Sequence, residues 1–352
     1  MERRKRRVVI SGAATLAVLA AVLALIFRGQ GEEIRQCLRA VPLFDLTRLL
    51  LPAFCCTLLG TAAQRVALRP QIPGLTFGQS LTVSYLGIFG NVATMGASSV
   101  PLQSWYLSRY GLLPGAGVGT LTACYVLQKV TVLLYATAML LLQGEWMRAS
   151  HPSLARYLFW GYAVCALIVL ALILLCTWER AQRLALWCVG KLPDEGKWAR
   201  WKSSWSANIK ELRTQSQALL TDRRRCGVIM LLYAGKYFLL HTVSYLSISL
   251  LGLGPLPFWR VQLLSAIMEL IVSTLPNVGG VGPAEFAFTL LYAPYLGSAG
   301  AASAMVLYRM ASYLFPFFVS IPFVLGLRRL VRQKKGRFAF DCSGQQLPMD
   351  SL

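Results

Sequence analysis

The sequence predicts an all-α polytopic membrane protein with about six full spans and two re-entrant pairs of broken helices. Three observations predict it. Hydrophobic residues make up 56% of the 352 positions and mean hydropathy is +0.55, too apolar for the surface of a soluble domain. Residues 8–27 are an uncharged run of 20 positions. Two further apolar regions are broken by the glycine- and proline-bearing stretches GNVATMGASSVP (90–101) and LPNVGGVGPAE (275–285).

Taken in order, the first span is 8–27, behind Arg3, Arg4, Lys5, Arg6 and Arg7. Twenty apolar residues cross roughly 30 Å of hydrocarbon. A cleaved signal peptide is the rival reading. The run is longer than a usual signal core and no small-x-small site precedes Arg28, which favours an uncleaved span. Spans at 46–64, 115–143, 157–178, 227–252 and 299–327 follow. Between them, 76–108 breaks at Gly90–Pro101 and 258–296 breaks at Pro276–Pro283. Proline lacks the N–H and glycine adds backbone freedom, so neither stretch continues a helix. Broken backbone survives in hydrocarbon only where protein or a water-filled cavity satisfies it. Each region therefore reads as a re-entrant pair of half-helices.

Charge orients the chain. Of 35 basic residues, 25 fall in segments on the same side as the N-terminus and 7 on the other; Lys129, Lys236 and Arg309 lie within spans. This bias puts both termini in the cytoplasm, and the basic 179–225 segment with them. It also accounts for most of the +21 net charge, so nucleic acid is not expected as a partner. Two histidines, His151 and His241, cannot make a multi-histidine metal site. The nine cysteines form no CxxC and read as small packing residues, so no metal or cofactor is expected. The expected location is a bacterial plasma membrane.

Residues 1–150 and 151–327 show the same order: span, loop, span, interrupted pair, span. With three full spans in each, the second copy is inverted relative to the first. Broken segments at matching places in two halves point to a midplane binding site. In the second half, Trp198, Trp201, Trp205, Ile209 and Leu212 recur at helical spacing among lysines and arginines. They predict an amphipathic helix over 194–222 on the cytoplasmic leaflet. Residues 328–352 form a basic, then polar, cytoplasmic tail that is expected to be disordered.

Lys129, Lys236, His241, Glu269, Glu285 and Arg309 fall at membrane depth. Ionisable groups there cost a few kcal/mol each, so they face protein or water. Three cations against two carboxylates leave one positive charge, which suits an anionic group such as phosphate. Arg309 follows Glu285 by 24 positions and Lys129 follows Gln103 by 26, so each broken motif precedes a cation at a similar offset. Arg309 is the better phosphate clamp because its planar fork meets two oxygens. The rival for Glu285 and Arg309 is an internal ion pair that fixes packing. For Lys236 and His241 it is a place near a span end, from which the side chain snorkels. Glu269 fits a half-helix facing an aqueous vestibule. Asn277, Gly279, Gly280 and Gly282 complete the candidate substrate-binding set, the glycines permitting a tight turn or close backbone approach to a ligand. Gly115 and Gly119 form a GxxxG that reads as internal packing. The sequence contains no Walker A, GxGxxG, HExxH or GxSxG motif.

At these residues the chain resembles a known family. ASSVPLQSWYLSRYG (97–111), LPNVGGVGPAEFAF (275–288) and VLYRMASYLFP (306–316) are similar to three motifs of the lysylphosphatidylglycerol synthase transmembrane region, the flippase-like domain of the multiple peptide resistance factor. The likeness covers about 8–330. It implies a polytopic domain that moves aminoacylated phosphatidylglycerol, or another lipid, between leaflets. Well-known members add a soluble domain that transfers lysine from lysyl-tRNA to phosphatidylglycerol. Such a domain is not recognisable here, so the resemblance implies a stand-alone member. Pro101, Gln103, Gly279, Gly280, Gly282, Glu285 and Arg309 match the motifs. Ser98, Ser99 and Val100 replace a Gly-Gly-Gln, Asn277 replaces a proline, and Lys129 stands where many members have arginine.

Three function classes follow. The first is a lipid flippase or transporter acting on an anionic or aminoacylated phospholipid. The second is a phosphatidylglycerol lysyltransferase, linked to cationic peptide resistance, for which no catalytic domain is recognisable. The third is a scaffold that positions a separate synthase.

Overall fold

The computed structural model describes residues 42–93, 98–150, a few positions between 162 and 170, and then 214–254, 256–274, 283–335, 338–340 and 346–348. The expected first span, most of 157–178, the three tryptophans of 194–222 and the 275–282 part of the second broken motif lie outside the described residues.

The described spans are helical, and proline and aspartate set several of their starts. α1 (Leu43–Leu68) begins directly after Pro42 and stops before Pro70. α4 (Pro114–Ser150) starts on proline, whose missing N–H has no helical partner at that position anyway. α5 (Arg223–Leu250) is capped by Asp222, which accepts from Arg225 N at 3.0 Å. Between α1 and α4 lie α2 (Phe77–Ala93) and α3 (Ser99–Leu107), the latter tightening into a 3₁₀ turn at Ser108–Tyr110. After α5 come α6 (Phe258–Thr274), α7 (Pro283–Arg309), a widened π turn at Met310–Leu314, and α8 (Phe315–Lys335). The tail expected to be disordered instead continues α8 to Lys335 and forms a short antiparallel ladder, Phe338–Phe340 with Gln346–Pro348.

Among the described residues, four helical stretches are long and apolar enough to cross a membrane: Phe44–Leu68, Pro114–Ala149, Arg223–Leu250 and Pro283–Gly326. The last reverses on itself. Gly297 adopts φ 72° and ψ 163°, a conformation that essentially only glycine takes. Phe288 and Tyr308, on opposite sides of that residue, pack with ring centroids 5.8 Å apart. α7 is thus a pair of antiparallel arms, and the arm after Gly297 runs on with α8 where the sequence places a span at 299–327.

Contacts fix the directions of the other helices. Ser84 bonds both Thr61 and Gln64, while Arg65 donates to Leu75 O, so α2 runs back along α1. Gln103 reaches Val83 O and Ser99 reaches Gly87 O, which makes α2 and α3 a hairpin. Tyr292 bonds Ser265 and Val261 O, so α6 and the first arm of α7 form a second hairpin. Both hairpins turn where the sequence places the broken motifs.

The two halves then interlock. α1 packs along α5, α4 packs on α6, and α8 packs on α2. Mid-helix, Cys56 donates to Lys236 O, and past the end of α1, Gln71 bonds Gln215 ahead of α5. α1 and α5 therefore run antiparallel. Lys129 meets Ser273 and Tyr135 meets Gln262, so α4 opposes α6. Phe89 stacks on Phe317 and Tyr85 on Phe323, so α8 opposes α2 in the same way. The buried core fills this interface, with Leu49, Tyr237, Leu263, Phe288 and Tyr292 essentially inaccessible.

Candidate functional site

Two ionic groupings meet at the seam between the halves. In the first, Arg309 Nη2 donates to Glu285 Oε1, joining the two arms of α7. The side chains are 12% and 20% exposed, so the pair is largely shielded from solvent. The guanidinium also lies 5.1 Å from the Tyr313 ring centroid, and its Nε is buried with no hydrogen-bond partner. The internal pair anticipated as the rival reading of these residues is therefore formed. In the second grouping, Lys129 Nζ donates to Ser273 Oγ at 2.7 Å, and Glu269, one helical turn before Ser273, lies within electrostatic range of both Lys129 and Lys236. Tyr308 connects the two, feeling both Glu269 and Arg309.

Beside these groups is a partly open cavity of about 270 Å³. α1 and α2 contribute Gly60, Gln64, Ser84 and Asn91, α4 contributes Gln128, α5 contributes Lys236, and the π turn contributes Ser312 and Tyr313. A widened turn displaces the helix register locally, a device that recurs at functional sites. Here it aims Ser312 and Tyr313 at the cavity. Its walls are tied by Ser84 donating to Gln64 at 2.8 Å and by Gln128 donating to Tyr237 at 2.7 Å.

The whole architecture has a matching family. The one described as lysylphosphatidylglycerol synthase TM region matches residues 12–320. The chain belongs to that family. None of the curated proteins compared matches it. Membership and the apolar helices together make the chain a multi-pass membrane protein related to lysylphosphatidylglycerol synthesis or flipping.

The family motifs end up in different surroundings. Gln103, from the first, is 5% exposed and spends its amide on Val83 O at 3.0 Å. It packs so closely on Gly87 that a Cβ there would sit 2.2 Å from its Nε2. Its described contacts are with α2, and the structure does not bring it to Lys129. Glu285 and Arg309, from the second and third motifs, form the ion pair above. Asn277, Gly279, Gly280 and Gly282 lie outside the described residues.

For Lys236 the structure differs from the span-end placement offered as its rival reading. It stands at the middle of the 28-residue α5, not near an end. A signal was present, since an uninterrupted apolar helix with one central lysine leaves no short route for snorkelling. His241 is 2% exposed, edge-on to Tyr135, and likewise belongs to the interior.

Proposed function

We propose that this protein moves a phospholipid headgroup between the leaflets of a bacterial plasma membrane, along the seam between its two halves, while the acyl chains stay in lipid. The observation that supports it best is the clustering of Lys129, Lys236, Glu269, Glu285 and Arg309 at one buried interface inside apolar helices. Charges at such depth are costly and face a pathway or one another. In this reading the halves are inverted repeats, each with a re-entrant hairpin, and both termini are cytoplasmic. The antiparallel α1 and α5 support that inversion, as does the reciprocal packing of α4 on α6 and α8 on α2.

Mechanistically, Arg309 is held in reserve by Glu285. An incoming phosphate replaces the carboxylate on the guanidinium fork, which binds two oxygens at once. The released Glu285, with Glu269, is then available to a cationic substituent such as an aminoacyl group. Lys129, anchored by Ser273, sits where α6 leads into the Gly-rich stretch and provides the next cation along the path. Asn277, Gly279, Gly280 and Gly282 remain candidate headgroup contacts on the sequence alone, and Gln103 locks the first hairpin in place.

Reconstitution in vesicles containing fluorescent phosphatidylglycerol, or its lysyl derivative, tests the reading. Protein-dependent exchange of either lipid between leaflets is the expected result. Equal rates with and without protein for both lipids would favour the scaffold alternative, in which the membrane region positions a separate synthase.

A further inference from the structure

The cavity beside Lys236 has a chemistry of its own. We infer that it is a binding site for the phosphate of an anionic, non-aminoacylated phospholipid headgroup, with Lys236 as its cation. The inference rests on the reading of this protein as a headgroup carrier and narrows its substrate class.

Lys236 Nζ has no hydrogen-bond or ion-pair partner among the described residues. The Tyr233 and Tyr237 ring centroids lie 5.8 and 5.5 Å away, and Cys56 and Lys129 are within electrostatic range. The stem passes Gly60, where an added Cβ would lie 3.8 Å from Lys236 Cδ, an ordinary contact that still leaves the head beside the cavity. A lysine held mid-membrane without a close counter-ion is a costly arrangement unless an anion visits it. Glu269 acts on it from α6 and does not line the cavity.

The rest of the lining is neutral and rich in hydrogen-bonding groups: Gln64, Ser84, Asn91, Gln128 and Ser312 surround the same space. Amide N–H₂ and hydroxyl groups donate to phosphate oxygens and accept from glycerol hydroxyls. Among the described lining residues there is no carboxylate. An aminoacyl headgroup would bring ammonium groups toward Lys236 with no carboxylate in the described lining to meet them, whereas a phosphodiester carrying one negative charge complements the site. The volume of about 270 Å³ falls just below the roughly 300–1,000 Å³ of pockets that hold drug-sized ligands, so it suits a headgroup. The site also draws on both halves, taking Gln64 and Gln128 from the first and Lys236 and Ser312 from the second. Occupancy can thus bias how the halves pack.

Native mass spectrometry of the detergent-solubilised protein tests this. The probes are short-chain phosphatidylglycerol, its lysyl ester, phosphatidylcholine and inorganic phosphate. The expected order has phosphatidylglycerol tightest, at least about ten-fold above the other two lipids, with that preference lost in Lys236→Met and kept in Lys236→Arg. Methionine keeps the length of the stem, and an unchanged thermal midpoint without lipid shows that the variant folds. Two results overturn the inference: equal binding of phosphatidylglycerol by wild type and Lys236→Met, or lysyl ester bound as tightly as its parent. If inorganic phosphate displaces the lipid at equal concentration, the site recognises a soluble anion and the lipid assignment falls. Leaflet exchange separates this inference from the function it rests on. Exchange that survives in Lys236→Met, together with unchanged binding, removes the site and leaves transport standing. Lipid binding lost in Lys236→Met without exchange in wild type removes transport and leaves the site.

Discussion

The α2–α3 hairpin and the α6–α7 hairpin both carry family motifs, yet different chemistry closes them. In the first, neutral groups interlock: Gln103 on Val83 O, Ser99 on Gly87 O, and a glycine face with no room for a Cβ. The second bears Glu269 on one arm and Glu285 on the other, facing Lys129 and Arg309. One topology thus supplies a tight neutral wedge and a charged wall. Neutral bonds with fixed geometry resist rearrangement, whereas an ion pair in a low-dielectric seam can be exchanged for another anion. Under the proposed function, the neutral hairpin supplies rigidity and the charged wall, with the cations facing it, handles the headgroup.

The largest effect expected from breaking this division is at Arg309. Arg309→Ala removes the cation facing the shielded Glu285 carboxylate, so stability falls by about 3–5 kcal/mol and leaflet exchange is lost. Arg309→Gln combined with Glu285→Gln removes both charges; thermal melting should then return most of the stability while exchange stays absent. Recovery of exchange in that double variant would make the pair purely structural.

Next is the reversal between the arms of α7. Gly297→Ala forces a side chain onto φ 72° and ψ 163°, at a cost of about 1–3 kcal/mol visible as a lower thermal midpoint. The first hairpin gives a similar effect by a different route. Gly87→Ala overpacks the Gln103 amide and costs about 1–3 kcal/mol, and adding Gln103→Ala should relieve part of that loss. A cycle that shows strictly additive effects would contradict the close packing. The smallest effect is at Ser273. Ser273→Ala removes the partner of Lys129 for about 1 kcal/mol of stability, with a measurable slowing of exchange.

Much of this fold was legible in the sequence because the bilayer restricts what apolar segments can do. Runs at 46–64, 115–143 and 227–252 became α1, α4 and α5, whose helices continue a few residues past the apolar run, except at the end of α5, which stops at Leu250. The break after Ala93 was legible because glycines, serines and a proline cluster there. The site was less so. The matching offsets from Gln103 to Lys129 and from Glu285 to Arg309 marked a cation after each broken motif, and left open whether Glu285 and Arg309 pair with each other, as they do. Gln103 is taken up by α2, a choice made by the Gly87 face across the hairpin and invisible in a linear offset. Lys236 gained its place from the crossing of α1 and α5 at Gly60, a tertiary contact that no local pattern announces.

The most direct test of the division of labour is exchange of fluorescent phosphatidylglycerol in proteoliposomes by two variants matched for expression and melting, Arg309→Gln/Glu285→Gln and Ser99→Ala. The account predicts exchange abolished in the first and near wild type in the second, since Ser99 only seals the neutral hairpin. Normal exchange in the charge-free variant, or its loss in Ser99→Ala alone, would contradict it.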